Sequence, residues 1–316
     1  MVNSSLNTVR NILSVSLGIG LMVFLGHYLE NNGYVAKLGV LSPLNHAISF
    51  VALAILFTVS GLQMRLALEK SEGVALSLMD TFALPVTQSF WGHVIPIQGS
   101  FIYGATFLKA KYGANVSGTM AVYLFITFCS LMIGALFGIV YSLLTHLTYI
   151  AVFIFLALLP IWILFADKLL AMMRPKSGLL ARIRGFTALV LQTVLTLFSD
   201  PLFVFKVVAI DLAYVLLFSL WSLHLSGSLG LDIPFPIWVL VSFFIKLTII
   251  AKFTPGNMGV IQLFTGGVLA AYGHPLEAGI LISTLQLGLL VVMSFPIAII
   301  LTIVQFKYVR RLFFRS

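Results

Sequence analysis

Two positions in the chain combine a basic side chain with a helix-breaking proline at the same spacing. His93 lies three residues before Pro96, and Lys252 lies three residues before Pro255. Proline interrupts helical hydrogen bonding and frees backbone N–H groups, which attract anions. We therefore predict that Lys252 and His93, with free N–H groups after Pro255, bind a phosphate group. The alternative is that Lys252 extends to an aqueous interface and that His93 is hydrogen-bonded inside the helix packing.

A second lysine in the same region has a different predicted role. Lys246 lies six residues before Lys252 and therefore on a different part of the helix surface. Charged side chains within apolar segments are usually paired, so Lys246 is expected to neutralise a carboxylate. The candidates are Asp211 and Asp80. A structural ion pair is the favoured interpretation, although a proton-coupled carrier would need one of these acids to titrate.

The composition excludes a soluble globular protein. Of 316 residues, 60% are hydrophobic, and only 18 Lys and Arg and 9 Asp and Glu are present. The net charge of +9 therefore points to membrane topology rather than to a nucleic-acid partner. The chain also contains no phosphate-binding P-loop, no Gly-x-Ser-x-Gly, no His-Glu-x-x-His, no Cys-x-x-Cys and no Asp-x-x-Asp cluster. We predict no metal, cofactor or catalytic residue.

Long apolar segments predict an all-α, polytopic membrane protein with a single integral-membrane domain over residues 1–316. Each segment is long enough to cross a hydrocarbon layer about 30 Å thick. The six predicted spans are 11–29, 45–67, 117–143, 147–166, 206–224 and 276–305. Segments 73–112 and 234–272 each contain two shorter apolar helices around Pro96 or Pro255. These two segments predict broken or re-entrant helical hairpins.

The distribution of basic residues predicts the orientation. We predict a protein of the inner (cytoplasmic) membrane with both termini in the cytoplasm. In this orientation most of the 18 basic residues lie on the cytoplasmic side. Residues 167–200 then form a cytoplasmic linker, with an interfacial helix over 186–198. Arg65, Lys109 and Lys111 lie at the cytoplasmic boundary, where they either attract anionic lipids or only fix the topology.

The order of elements repeats, with repeat 1 at 45–143 and repeat 2 at 206–305. The aligned pairs are Gly99 with Gly259, Ala110 with Ala270, Tyr112 with Tyr272 and Gly113 with Gly273. The predicted topology gives the two repeats opposite orientations. Inverted repeats with broken helices are typical of secondary transporters, in which the breaks form the substrate site. The alternative is two ordinary proline-kinked helix pairs.

The second break also resembles a known family. Its Pro-Gly-Gly-x-Gly-x-x-Glu signature is similar to Pro255, Gly256, Asn257, Gly259 and Gln262, followed by Gly273 and Pro275. The first repeat resembles the upstream motif at Gly99 and at 103–113, with Ser100 and Tyr103 where a Glu and an Arg are usual. On these residues the chain resembles the lysylphosphatidylglycerol synthetase transmembrane-region family of flippase-like domains.

The resemblance implies translocation of lipids with charged or glycosylated head groups. Gln262 occupies the position of the signature Glu, so a polyprenyl-phosphate-linked sugar or another glycolipid suits this lining better than a cationic aminoacyl lipid does. Expected partners are this lipid substrate, anionic lipids, glycan or aminoacyl-lipid synthesis enzymes, and a second copy of the chain. Two other hypotheses are a membrane enzyme or subunit of lipid-linked glycan synthesis and a small-solute carrier.

Overall fold

The computed structural model describes residues 19–34, 41–94, 99–145, 179–250 and 254–313, together with positions 16, 36 and 154. The described residues are mainly helical and include no strand. Residues 19–31 form α1. The next helices are α2 (Pro43–Glu72), α3 (Leu78–Val94), α4 (Gly99–Tyr112) and α5 (Val116–Thr145). They are followed by α6 (Leu179–Phe198), α7 (Pro201–Ser228), α8 (Phe235–Ile250), α9 (Val260–Ala271) and α10 (Leu276–Phe313).

Four of these helices, α2, α5, α7 and α10, are long and apolar enough to cross a membrane. They coincide with four of the six predicted spans. The predicted span 147–166 lies outside the described residues except for position 154, as does the first part of the predicted span 11–29. Large apolar side chains remain exposed on the four helices, including Val140 at 55%, Val292 at 73% and Ile303 at 69%. Such surfaces are typical of contact with lipid.

The helix after the basic linker is longer than expected. The sequence predicted an interfacial helix over 186–198, whereas α6 begins at Leu179. One side of α6 contributes Val190, Val194 and Leu197 to a buried cluster that also includes Phe125 of α5. Packing against α5 therefore stabilises this helix.

Helices α3 and α4 form the first hairpin. Polar contacts join the start of α3 to the end of α4. Asp80, near the start of α3, accepts hydrogen bonds from Lys111 and Tyr112 at the end of α4. The Ser77 hydroxyl also donates to Asp80, at 2.7 Å. At 17 and 14 residues, both helices are shorter than the four candidate spans. The two shorter helices predicted within 73–112 are confirmed, and Pro96 between them lies outside the described residues.

The second hairpin consists of α8 and α9. Its two helices are separated by a short 3₁₀ turn, Pro255–Asn257, so the helix is interrupted at Pro255 as predicted. Helix α9 packs closely on α10, because a Cβ atom built on Gly279 would lie 2.6 Å from the Gly266 Cα. The glycine pair thus allows the two backbones to approach.

The bases of the two hairpins lie at opposite ends of the molecule. The base is the end at which the chain enters and leaves the hairpin. We call one end the Lys70 end, where Lys70 of α2 pairs with Asp200 before α7 at 2.7 Å and where Glu72 of α2 accepts from Asn115. The base of the first hairpin follows α2 at this end. We call the other the Glu277 end, where the Tyr28 hydroxyl donates to Glu277 at 2.6 Å.

The base of the second hairpin lies at the Glu277 end. Tyr272, directly after α9, packs against Tyr141 near the end of α5, with ring centroids 5.6 Å apart. Asn45 and Ser228 meet there as well, which places the end of α7 and the following start of α8 at this end. The two hairpins therefore point toward each other from opposite ends.

Candidate functional site

The broken ends of the two hairpins are in contact. The imidazole of His93, at the end of α3, packs against Gly256 in the turn between α8 and α9. A Cβ atom built on Gly256 would lie only 2.1 Å from His93 Cδ2. We call this contact between His93 and the Thr254–Gly259 turn the tip contact. It depends on glycine, because any side chain at position 256 would occupy the space of the ring.

The turn between α8 and α9 adopts its conformation through residues that tolerate positive φ. Gly256 has φ 56°, Asn257 has φ 54° and Gly259 has φ 80°. Glycine and asparagine are the residues that adopt this left-handed region at least cost. The Thr254 hydroxyl closes the turn by donating to the Met258 carbonyl at 2.7 Å. The Pro-Gly-Asn-x-Gly sequence therefore determines this turn locally.

The predicted supply of free N–H groups after Pro255 is wrong for three positions. The Asn257 N–H donates to the Thr254 carbonyl and the Met258 N–H to the Pro255 carbonyl, both at 3.0 Å. The Gly259 N–H donates to Oε1 of the buried Gln262 at 2.8 Å. The turn satisfies these groups internally, so Gln262 has a structural role at the start of α9.

His93 is held in place by its own helix and by α10. Its Nδ1 lies 2.7 Å from the Ser89 carbonyl, and its ring meets Phe295 edge-on with centroids 5.6 Å apart. The side chain is half-buried. The expected hydrogen bond within the helix packing is thus present, and the ring still faces the second hairpin through Gly256.

Two predicted site residues, Pro96 and Lys252, lie outside the described residues. They belong to the segments 95–98 and 251–253, which connect directly to the tip contact. Gly99, which follows the first of these segments, is buried and begins α4. The sequence positions of Pro96 and Lys252 therefore place both residues next to the tip contact along the chain.

A second cluster lies away from the tips and is centred on Asp211. Lys246 of α8 forms an ion pair with Asp211 of α7, which is fully buried. Gln63 of α2 also donates to Asp211 Oδ1, at 3.1 Å, and Lys246 donates to Ser130 of α5 at 3.2 Å. The Lys246 ammonium lies 4.7 Å from the centre of the Tyr214 ring. The predicted pairing of Lys246 with an intramembrane acid is confirmed, and the acid is Asp211.

The remaining predicted residues do not join either cluster. Tyr103 is buried, and its hydroxyl donates to Gln305 Oε1 of α10 at 2.5 Å. Its ring stacks on Trp91, with centroids 5.7 Å apart. Arg65 is half-buried on α2, and no carboxylate of the described residues lies within ion-pair distance of it. Tyr103 therefore joins α4 to α10.

The ion pair of Lys70 and Asp200 at the Lys70 end is exposed to solvent. The Lys70 ammonium beside Asp200, together with the backbone N–H of Phe203, lowers the pKa of the Asp200 carboxyl below its usual value. Asp200 is also the N-cap of α7. The pair joins α2 to α7 outside the apolar region.

Several residues in these clusters were not predicted from the sequence. Gln63 and Ser130 are polar residues within predicted spans, and such residues commonly mark polar contacts inside the membrane. The sequence therefore contained a signal for Gln63 and Ser130. Phe295, by contrast, is one of 27 phenylalanines, and nothing local distinguishes it. Its contact with His93 arises only because α10 packs on α3.

The described residues are those of a helical membrane protein with two hairpins whose bases lie at opposite ends and with a buried ion pair. No protein-family model, no curated protein and no solved structure matches this chain. The functional argument therefore depends on the geometry and on the residues themselves.

Proposed function

We propose that this membrane protein is a lipid flippase that moves an anionic phospholipid or a polyprenyl-phosphate-linked sugar across the cytoplasmic membrane. The observation that carries the proposal is the tip contact, in which two hairpins with bases at opposite ends meet at His93 and Gly256. Broken helices that meet in this way supply polar groups within an apolar environment, as in secondary transporters.

In this proposal the chain is an inverted repeat of the flippase-like family, with six spans and with both termini in the cytoplasm. The head group passes beside the tips while the lipid tails remain in the bilayer. Lys252 supplies the positive charge for the phosphate, since an unpaired lysine is costly within a membrane. His93 supplies a second donor from the first hairpin. The N–H groups of Asn257, Met258 and Gly259 already donate within the turn. Binding of the anion therefore depends mainly on the side chains of Lys252 and His93.

The test is transbilayer movement of a fluorescent phosphatidylglycerol in liposomes that contain the purified protein. Lys252→Ala is expected to slow movement about 10-fold or more, the effect of losing one charged hydrogen bond of about 1.5–3 kcal/mol. The matched control is Lys206→Ala, which removes an exposed lysine from α7. An unchanged rate in Lys252→Ala would refute the phosphate role. If the unaltered protein moves no anionic lipid, the flippase proposal fails.

A further inference from the structure

A groove lies on the protein surface between α2, α3 and α10. It contains about 290 Å³ of empty space, part of which is open to the surroundings. The side chains that line it include Phe50 and Phe57 of α2, Phe82 and Val86 of α3, and Met293 and Ile297 of α10. Phe50 is 47% exposed, and α2 and α10 are two of the four candidate spans. The groove therefore opens toward the surface that contacts lipid.

The side chains that line the groove offer an occupant no free hydrogen-bond donor. Among the described lining residues only Ser294 is polar, and its hydroxyl donates to the Leu290 carbonyl of the same helix. Phe57, Phe82 and Ile297 pack against an apolar cluster that includes Val86. A polar solute would lose its water here without replacement, whereas a hydrocarbon chain has no such cost. The groove therefore suits an acyl chain.

A cation without an ion-pair partner lies on the same face of α2 as the groove. Four residues of α2 follow one another at the i, i+4, i+7 and i+11 spacing of a single helix face: Ala54 of the groove, Thr58, Gly61 and Arg65. Arg65 is half-buried and pairs with no carboxylate of the described residues, including Glu69 one turn further along. A guanidinium group binds a phosphate through two parallel hydrogen bonds. The charge of Arg65 therefore favours a lipid phosphate.

The residues between Arg65 and the groove on this face are small. Gly61 has no side chain, and its backbone touches α3, because a Cβ atom built there would lie 1.6 Å from the Thr81 carbonyl oxygen. Thr58 is exposed, and its hydroxyl donates to the Ala54 carbonyl at 2.8 Å. No bulky side chain of this face of α2 thus separates the guanidinium from the groove.

The spacing between Arg65 and the far end of the groove matches the length of one phospholipid. Phe50 precedes Arg65 by fifteen residues, which is about 22 Å along a helix. One leaflet with its head groups is about 20–22 Å thick. Arg65 lies in the part of α2 nearer the Lys70 end. A lipid of the leaflet at that end, with its phosphate at Arg65, therefore has the end of its acyl chain near Phe50.

We propose that Arg65 and the groove between α2, α3 and α10 bind an anionic phospholipid from the leaflet at the Lys70 end. The phosphate binds the guanidinium group, and one acyl chain lies in the groove. The segment of α10 that lines the groove also contains Phe295, which contacts Phe90 and His93 of α3. The bound lipid therefore lies beside the tip contact. In its role as an entry site for substrate, the site rests on the proposed flippase function.

The first experiment maps where a lipid binds along the chain. The probe is phosphatidylglycerol with a photoactivatable diazirine in its acyl chain, in phosphatidylcholine nanodiscs that contain the full chain. Mass spectrometry is expected to find adducts mainly on segments 50–57, 82–86 and 293–297. The same probe with a choline head group is expected to label them about 5-fold less, the effect of one basic residue on an anionic lipid. Equal labelling by both probes, or adducts spread over the whole apolar surface, would overturn the proposal.

Two pairs of variants assign the binding to particular residues. Arg65→Gln is expected to lower phosphatidylglycerol adducts to the level of the choline probe, whereas Lys206→Gln, which removes an exposed lysine of α7, is expected to leave them unchanged. Ala54→Phe fills the groove and is expected to remove adducts of both probes, whereas Ala209→Phe, at an exposed position of α7, is expected to have no effect. An unchanged map in Arg65→Gln or in Ala54→Phe would overturn the proposal.

Transbilayer movement of fluorescent phosphatidylglycerol separates this proposal from the flippase function. If the groove is labelled but no lipid moves, the flippase function fails and the lipid site stands. If lipid moves but the groove is not labelled, the lipid site fails. If a photoactivatable polyprenyl phosphate labels the groove and phosphatidylglycerol does not, the assignment to a phospholipid fails. The map of the unaltered protein depends on no variant, so poor folding of a variant leaves the proposal testable.

Discussion

Each of the two hairpins contains one ion pair with a buried aspartate. One pair joins two helices of the same hairpin, and the other joins a hairpin to a neighbouring helix. In the first hairpin, Asp80 of α3 pairs with Lys111 of α4, so the ion pair joins the two helices of the same hairpin at its base. In the second hairpin, Lys246 of α8 pairs with Asp211 of α7, so the ion pair joins the hairpin to a neighbouring helix. Segment 234–272 contains no acidic residue of its own.

This difference determines which contacts are lost when each ion pair breaks. Breaking the Asp80 pair removes a contact within the first hairpin, between α3 and α4. Breaking the Asp211 pair leaves the contacts within the second hairpin intact and removes one contact between α8 and α7, which also pack through Val215 and Phe243. The ion pair of the second hairpin is therefore the one whose loss removes no contact within its own hairpin.

The largest expected effect is that of Asp211→Ala. Removing one partner of a buried ion pair leaves Lys246 as an uncompensated charge and is expected to lower the free energy of unfolding by about 3–5 kcal/mol. Asp80→Ala is the matched control. It is expected to cost about 1–3 kcal/mol, because the Lys111 side chain is 26% exposed, against 13% for Lys246, and can reach water. Thermal or denaturant unfolding in detergent measures both, and equal losses would contradict the comparison.

The next effect concerns the tip contact. Gly256→Ala is expected to cost about 1–3 kcal/mol because it forces alanine into the left-handed region and against His93. Gly267→Ala in α9, where nothing lies within 4 Å of the added methyl group, is the control and is expected to cause no loss. Adding His93→Ala to Gly256→Ala is expected to recover only the steric part. Unfolding measurements on all four proteins decide this, and a neutral Gly256→Ala would refute the described contact.

A smaller effect is expected at Gln262. Gln262→Leu removes the acceptor for the Gly259 N–H and is expected to cost about 1 kcal/mol, as loss of a helix cap does. Gln262→Glu keeps an acceptor oxygen and is expected to retain most of the stability. If both variants are equally stable but both slow lipid movement, Gln262 acts on the substrate rather than on the turn.

The smallest effect is expected at Asp200, outside the apolar region. Lys70 lowers the pKa of the Asp200 carboxyl in the folded protein, so the pair contributes stability above the pKa of the unfolded chain. This contribution is lost as the pH falls through the lower, folded pKa. Asp200→Asn is expected to flatten the pH dependence of unfolding at acid pH, and Lys70→Gln is expected to do the same. An unchanged pH profile in both variants would contradict this assignment.

Much of the architecture follows from the sequence because hydrocarbon thickness and helical geometry leave few options. Four predicted spans are confirmed as apolar helices, and the break at Pro255 is confirmed because proline and residues with positive φ cannot continue a helix. The pairing of Lys246 with an acid was also predictable, since unpaired charge is costly in an apolar environment. The start of α6 was predicted too late, because Arg182 and Arg184 in its first turns were assigned to the basic linker.

The amino-acid sequence alone determined which segments are apolar helices, where they break and which charges need a partner. The tertiary structure decided that the partner of Lys246 is Asp211 rather than Asp80 and that His93 meets Gly256. It also decided that the N–H groups of Asn257, Met258 and Gly259 are satisfied within the turn. The reason is physical: helix formation and burial cost depend on neighbouring residues, whereas contacts between elements far apart in the chain depend on how whole helices pack.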